Sequence, residues 1–309
     1  MSAGTHAAPT TETPKRALAR RYERLLLFYP RDYRRRFGAE LVATLLDGSE
    51  PGRALPSLTE SAGLIRGGFR TRATFAARGS PWRDGLHLGI LVVVLADLAM
   101  LVPYAGSMPV WTGLSAAIVL AVLRGRPGLA IPLVLLVGGK VVAIALGRPW
   151  LDETLLPIFP DAIWGGRALY SVGGPVAPAA AYTVVLLGLL VLTAGDTSLK
   201  KRSWCWWAVV PLIAGTDPAG LDLAGGSPRT MARVGLEVAL LLLAIWAGRL
   251  AGDPRWAVAA GTYLLTELTV LAENLSSSTR QDVAHFALLA FLTFAAIAVP
   301  YRARTQPQL

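Results

Sequence analysis

The sequence is short of what a water-soluble fold needs on its surface. Only 16% of its 309 residues are charged, while 53% are hydrophobic; soluble domains run near 25% charged because their surfaces must be solvated. Cysteine is nearly absent. Cys205 stands alone, which excludes an intramolecular disulfide and leaves redox compartment unreadable from cysteine usage. The three histidines, His6, His87 and His285, lie far apart and match no metal-ligand spacing. No Gly-x-x-x-x-Gly-Lys-Ser/Thr phosphate loop occurs, because Gly138-Gly139-Lys140 sits in an apolar stretch without the rest of the spacing. His-Glu-x-x-His and Gly-x-Ser-x-Gly motifs are missing too. These absences nominate no catalytic residue, no cofactor and no metal site, and they point to a non-enzymatic protein. Residues 1–17 are polar and lack the apolar core of a cleavable signal peptide. Insertion is therefore expected to begin with the first spanning helix, after residue 83. No internal repeat argues for an inverted-repeat transporter.

What the chain does have is apolar length. Blocks approaching 20 residues imply lipid as the solvent. Spanning helices are expected near 86–103, 110–123, 128–146, 176–194, 204–215, 230–249, 255–272 and 283–300. The blocks at 110–123 and 204–215 are short for a hydrocarbon core of about 30 Å. The reading is an all-α fold: a polytopic transmembrane bundle of about eight spans behind a small cytosolic three-helix domain. Its parts are a disordered tail over 1–14, a basic helical prefix over 15–83, the bundle over 84–303, and a cytosolic tail over 304–309.

Charge tests that count. Of the 30 Lys and Arg residues, 15 fall in residues 1–83 against 7 acidic ones, so the basic excess is an N-terminal property. With the N-terminus inside and eight spans, Arg124, Arg126, Lys200, Lys201, Arg202, Arg249, Arg255, Arg302 and Arg304 join them on the cytoplasmic side. Arg148, Arg167, Arg229, Arg233 and Arg280 remain outside or near the outer edge. Deleting the 204–215 span would move four basic residues outward. The expected location is the bacterial plasma membrane, multipass, with both termini cytoplasmic. The longest outer loop, 147–175, carries Trp150, Phe159, Trp164 and Tyr170, which suit an interfacial segment; a re-entrant role is the alternative.

The prefix is punctuated as three helices. Leu18, Tyr22, Leu25 and Tyr29 form one helical face that ends at Pro30. Tyr33, Phe37, Leu41 and Leu45 repeat every fourth residue, with Gly48 placed as a stop. Ser57-Leu-Thr-Glu60 matches a capping box, and Leu58, Ala62, Ile65, Phe69 and Ala73 continue the third helix, weakened by Gly67-Gly68.

Within this region Tyr29, Pro30, Arg31, Tyr33, Arg34, Arg36, Gly38 and Glu40 form a pattern of Tyr-Pro-Arg, an aromatic, basic residues, then Gly-x-Glu. It resembles the prefix domain that precedes the membrane part of many bacterial permease-like multipass proteins. Phe28 stands at the usual leucine position, and the likeness covers roughly residues 20–75. It implies a cytosolic helical prefix and brings no catalytic residue. The large extracytoplasmic domain of the duplicated permeases has no counterpart segment here.

The arginines at 31–36 admit a nucleic-acid reading. Orientation and attraction to anionic lipid are favoured, because the cluster adjoins the first span. A protein partner bound through the prefix is a further expectation. Inside the spans, Asp97, Lys140, Glu237 and Glu267 fall in one layer, about 17–20 Å from the inner side at 1.5 Å per residue, and Arg233 sits four residues before Glu237. Such groups are costly in lipid. One reading pairs Asp97 with Lys140 and Arg233 with Glu237 as structural glue. The other is a buried site in a small ion- or proton-coupled transporter, with Glu267 as the carboxylate lacking a partner. His285, just inside the last span, suits a hydrogen bond better than a metal. The outer loop from Glu273 to Asp282 reads as a solvated turn.

Overall fold

The computed structural model describes residues 14–50, 52–77, 79–106, 108–146, 174–195, 199–215 and 228–305. Nearly all of the 147–175 loop and the first 13 residues lie outside that set. Among the described residues the fold is all-helical, with eleven α-helices, in two compact units, 1–78 and 79–309.

In the first unit, α1 (Pro14–Leu25) runs into a 3-10 turn (Leu26–Phe28), followed by α2 (Arg31–Asp47) and α3 (Leu58–Ala76). Leu18, Tyr22, Leu26, Tyr29 and Leu64 form its core. The capping box is made in full: Ser57 Oγ accepts from Glu60 N at 3.0 Å, and Glu60 Oε2 accepts from Ser57 N at 3.0 Å. Tyr22 Oη donates to the same carboxylate at 2.9 Å, tying α1 to the start of α3. The face expected for α3 is rotated. Leu58 and Phe69 are exposed, and the buried positions are Leu64, Gly68 and Ala73. Gly67 and Gly68 explain the shift. A Cβ at Gly68 would stand 2.8 Å from Phe28 Cβ, and one at Gly67 would stand 2.5 Å from Tyr29 Oη. The glycine pair is what lets α3 lie against the 3-10 turn, so it faces inward instead of breaking the helix.

The second unit contains α4 (Pro81–Leu101), α5 (Pro109–Leu123), α6 (Pro127–Ala145), α7 (Val176–Thr193), a 3-10 turn (Trp204–Ala208) leading into α8 (Val209–Ile213), α9 (Pro228–Ala251), α10 (Arg255–Glu273) and α11 (Arg280–Thr305). Five of these are long and apolar enough to cross a membrane: α4, α6, α7, α9 from Met231, and α11 to Arg302. Large apolar side chains such as Leu187, Val191, Leu243, Phe291 and Phe294 point outward. Water would penalise such surfaces, and lipid removes the penalty. By the length and composition of these helices and the apolar side chains they turn outward, this is a multipass membrane protein. α5, at 15 residues, spans about 22 Å, and α10 carries too many polar residues to join the five. The segment expected to span at 204–215 is helical for only ten residues and changes from 3-10 to α midway.

α4 is the central helix: 67% of its apolar window is buried, against 22–39% in the other four candidates. Glycines let its neighbours approach. A Cβ at Gly89 would meet Thr262 Cβ at 2.7 Å, and one at Gly85 would collide with the backbone of Arg255. Gly85 and Gly89 are a small-x-x-x-small pair that brings α4 and α10 together in parallel. Gly138 likewise lets α6 approach α7, beneath the ring of Tyr182. At the end of the unit where α4 begins, Asp84 gathers Arg202 at 2.6 Å, Lys200 at 3.7 Å and Arg255, whose Nε also bonds Asp253 at 3.0 Å. Burial lowers the pKa of the Arg202 guanidinium, and Asp84 opposes that shift. His87 Nε2 lies 2.8 Å from the carbonyl of Val122 at the end of α5. At the opposite end, the Glu273 carboxylate accepts from Val176 N and Ala177 N at 2.7 and 2.9 Å. It caps the positive N-terminus of α7, so the expected solvated turn begins with a structural contact.

Candidate functional site

α9 places Arg233 and Glu237 one turn apart, and the expected pair is formed: Arg233 Nε donates to Glu237 Oε1 at 2.8 Å. α10 brings Glu267 to the same guanidinium, with Arg233 Nη2 to Glu267 Oε1 at 2.8 Å. The expectation that Glu267 lacks a partner is therefore corrected. Only its second oxygen, Oε2, is enclosed without a hydrogen bond. Two residues join that the sequence did not place here. Tyr263, one turn before Glu267, donates to Glu237 Oε1 at 2.5 Å and lies 3.2 Å from Arg233 Nη2. His285 on α11 lies with Nε2 2.8 Å from Glu237 Oε2, the hydrogen-bonding role anticipated for it, with a partner the sequence could not name. Arg233, Glu237, Glu267 and His285 are each 8% exposed or less.

Asp97 and Lys140 separate. Among the described residues no ion pair joins them. Asp97, half-buried on α4, is in electrostatic range of Glu267, and its Oδ2 is enclosed without a hydrogen bond. Lys140 is buried on α6 with its Nζ 5.5 Å from the centre of the Trp111 ring. The rise per residue gives depth along a helix but not the direction a side chain faces. Residues assigned the same depth therefore need not meet, and Lys140 lies with Trp111 instead of Asp97.

The electrostatics of the cluster follow from counting. Glu237 and Glu267 face one guanidinium and one imidazole, and Asp97, in range of Glu267, brings the carboxyl groups of the neighbourhood to three. Even with His285 as imidazolium, two cations oppose three carboxylates. Neutrality, which a low-dielectric interior strongly favours, requires at least one carboxyl group to carry a proton. The enclosed carboxyl oxygens without a hydrogen bond are Asp97 Oδ2 and Glu267 Oε2, whereas both Glu237 oxygens are engaged. A cavity of about 190 Å³ adjoins the cluster, bounded by α4, the Trp204–Ile213 segment, α9 and α10, with Arg233, Glu237 and Tyr263 in its wall.

The motif residues of the first unit divide by chemistry. Tyr29 is buried and stacks on half-buried Tyr33 at 5.3 Å; Pro30 precedes α2 as its N-cap, and Gly38 is buried on α2. Arg31, Arg36 and Glu40 are exposed, and Arg34 is half-buried. The aromatic positions build the core while most of the charges face out. Comparison with protein-family models, curated proteins and solved structures finds no match for this chain.

Proposed function

We propose that this chain is a non-enzymatic, permease-like membrane component with eight crossings, whose α4–α9–α10–α11 cluster is a proton site within the membrane. The observation that carries the reading is the imbalance of three carboxyl groups, buried Glu237 and Glu267 with half-buried Asp97, against two basic ones. A purely structural network closes its charges, whereas this one closes only by holding a proton that solvent pH and ligand occupancy can govern. Eight crossings in the bacterial plasma membrane, with both termini cytoplasmic, agree with the basic residues at the end where α4 begins. They agree also with the passage of the chain from Trp204, over which Arg124 stacks at 4.9 Å, to the far end where α9 starts.

The test is infrared difference spectroscopy of the reconstituted protein across an acid titration, with proton uptake counted in parallel. A protonated-carboxyl band is expected that shifts or disappears in Asp97→Asn or Glu267→Gln while both variants remain folded. If neither substitution alters the band or the count, the proton-site reading is wrong.

A second reading, a component that docks through its N-terminal unit, is supported by the exposed Arg31, Arg35 and Arg36 together with exposed Leu58 and Phe69. Basic and apolar side chains together suit an anionic lipid surface. Hydrogen exchange of α2 should slow in anionic but not in neutral nanodiscs, and the difference should fade with salt. Equal exchange in both would remove the reading.

A further inference from the structure

We propose that the cavity beside the cluster binds a small uncharged molecule, mostly hydrocarbon, that presents one acceptor oxygen to Arg233. The proposal rests on the reading of the cluster as a functional site and adds the class of ligand.

The walls are apolar along most of their length. On α9 the lining runs from Arg233 to Ala244, roughly 16 Å of helix, past Leu240 and Leu241; α4 adds Val92 and Leu95, and Trp206 and Trp256 lie at the far end from Arg233. Apart from the Trp206 and Trp256 indoles at the far end, polar character is confined to Arg233, Glu237 and Tyr263. Of these, only the guanidinium has donors to spare. Arg233 Nε is committed to Glu237 and Nη2 to Glu267 and Tyr263. Nη1 has no hydrogen-bond partner among the described residues, yet it is not among the fully enclosed polar atoms. It belongs to a side chain that is 5% exposed and forms part of the cavity wall. A guanidinium donor buried against an apolar space is costly unless an acceptor meets it.

Charge decides what that acceptor is. An anion would add to three carboxyl groups that already outnumber their basic partners. A cation would meet the guanidinium at the wall and find both Glu237 oxygens taken. A neutral carbonyl or hydroxyl oxygen satisfies Nη1 without either conflict. Size sets the rest. The cavity exceeds the roughly 150 Å³ apolar cavity that holds benzene and falls short of the 300 Å³ or more typical of drug-sized ligands. One ring or a short chain bearing a single oxygen fits.

The experiment uses the full chain in nanodiscs and saturation-transfer NMR with acetophenone, against empty nanodiscs to remove partitioning. α-Methylstyrene has the same shape with a methylene in place of the carbonyl oxygen; benzoate and benzylammonium supply the two charges. Acetophenone is expected to bind saturably and roughly tenfold or more tighter than α-methylstyrene, the factor for one hydrogen bond from a charged donor. Both charged probes should be weaker. Val92→Phe, which fills the space away from the ionic cluster, should abolish the saturable signal, and Ala96→Leu should do the same should the larger ring disturb folding.

Equal affinity for acetophenone and α-methylstyrene would overturn the proposal and identify a hydrocarbon-only space, such as one holding an acyl chain. So would a preference for either charged probe, or binding unchanged in the filled variants. The proton count separates this failure from failure of the underlying reading: wild-type protons lost in Glu267→Gln without acetophenone binding would sink the ligand alone.

Discussion

Arg233 is the residue on which the buried polar cluster depends. It touches two carboxylates and a tyrosine from two helices. Its replacement by Met leaves buried carboxylates without their cation, a loss of about 3–5 kcal/mol by comparison with other broken buried pairs. Adding Glu237→Leu to Arg233→Met should recover part of that loss, because an apolar pair replaces an uncompensated charge. Thermal unfolding of the single and double variants in detergent measures the difference; an equal or larger loss in the double variant would contradict the assignment. Glu267→Gln and Asp97→Asn should behave differently. Each puts a neutral group of the same shape in place of a carboxyl group with an enclosed oxygen that lacks a hydrogen bond, so unfolding temperatures should stay near wild type. The sequence showed Arg233 and Glu237 as a pair because helical spacing is local. It did not reveal Tyr263 or His285, since contact across α9, α10 and α11 depends on which way each helix is turned. A tyrosine one turn before an intramembrane glutamate was the available signal.

Among the elements, glycine positions separate packing from permissiveness. Gly89→Leu on α4 would drive a side chain into Thr262, and Gly85→Val would meet the backbone of Arg255. Both are expected to prevent folding or shift α4 away from α10, seen as loss of monodisperse protein on size exclusion. Gly113, inside α5, is different: a Cβ placed there would have nothing within 4 Å. Gly113→Ala is expected to stabilise by about 0.5–1 kcal/mol through backbone entropy. The Gly-Leu-His-Leu-Gly run at 85–89 is visible in the sequence; which helix it faces is not. In the first unit, Ser57→Ala should cost about 1 kcal/mol by removing the cap of α3. The Ser57 backbone N–H first, and then the Tyr22 hydroxyl, hold the Glu60 carboxyl below its usual range. A carboxyl group lowered by folding stabilises above its unfolded pKa, and that contribution is lost as pH falls through the folded one. Hydrogen exchange in α3 should therefore accelerate on acidification through the carboxylate range, and Glu60→Gln should flatten the dependence.

For the whole molecule, the lone cysteine is a ready topology probe. Cys205 is exposed beside Trp204, at the end of the second unit where α4 begins. An impermeant maleimide should label it only from the cytoplasmic face. In a Cys205→Ser background, Ser276→Cys, exposed in the turn between α10 and α11, should be labelled only from outside. Labelling of both positions from one side would rule out the eight-crossing arrangement. The test bears most on the Trp204–Ile213 segment. Its ten helical residues are too few for a bilayer core, so the proposed crossing there is what the labelling decides.

The sequence by itself determined that this is a helical membrane protein, where most of the described helices begin and end, and which ionisable residues lie within apolar helices. Those properties follow from composition, capping residues and rise per residue, all of which are local. The three-helix punctuation of the first unit was legible for the same reason; the buried face of α3 was not, because it depended on Phe28 and Tyr29 arriving from another segment. Only the tertiary structure decided which residues of the charged layer share a site. That choice is made by the rotation of each helix about its axis, which close packing at Gly85, Gly89 and Gly138 sets and no single helix encodes. It put Lys140 with Trp111, and it gathered Arg233, Glu237, Tyr263, Glu267 and His285 into one network whose Arg233, Glu237 and Tyr263 line a cavity.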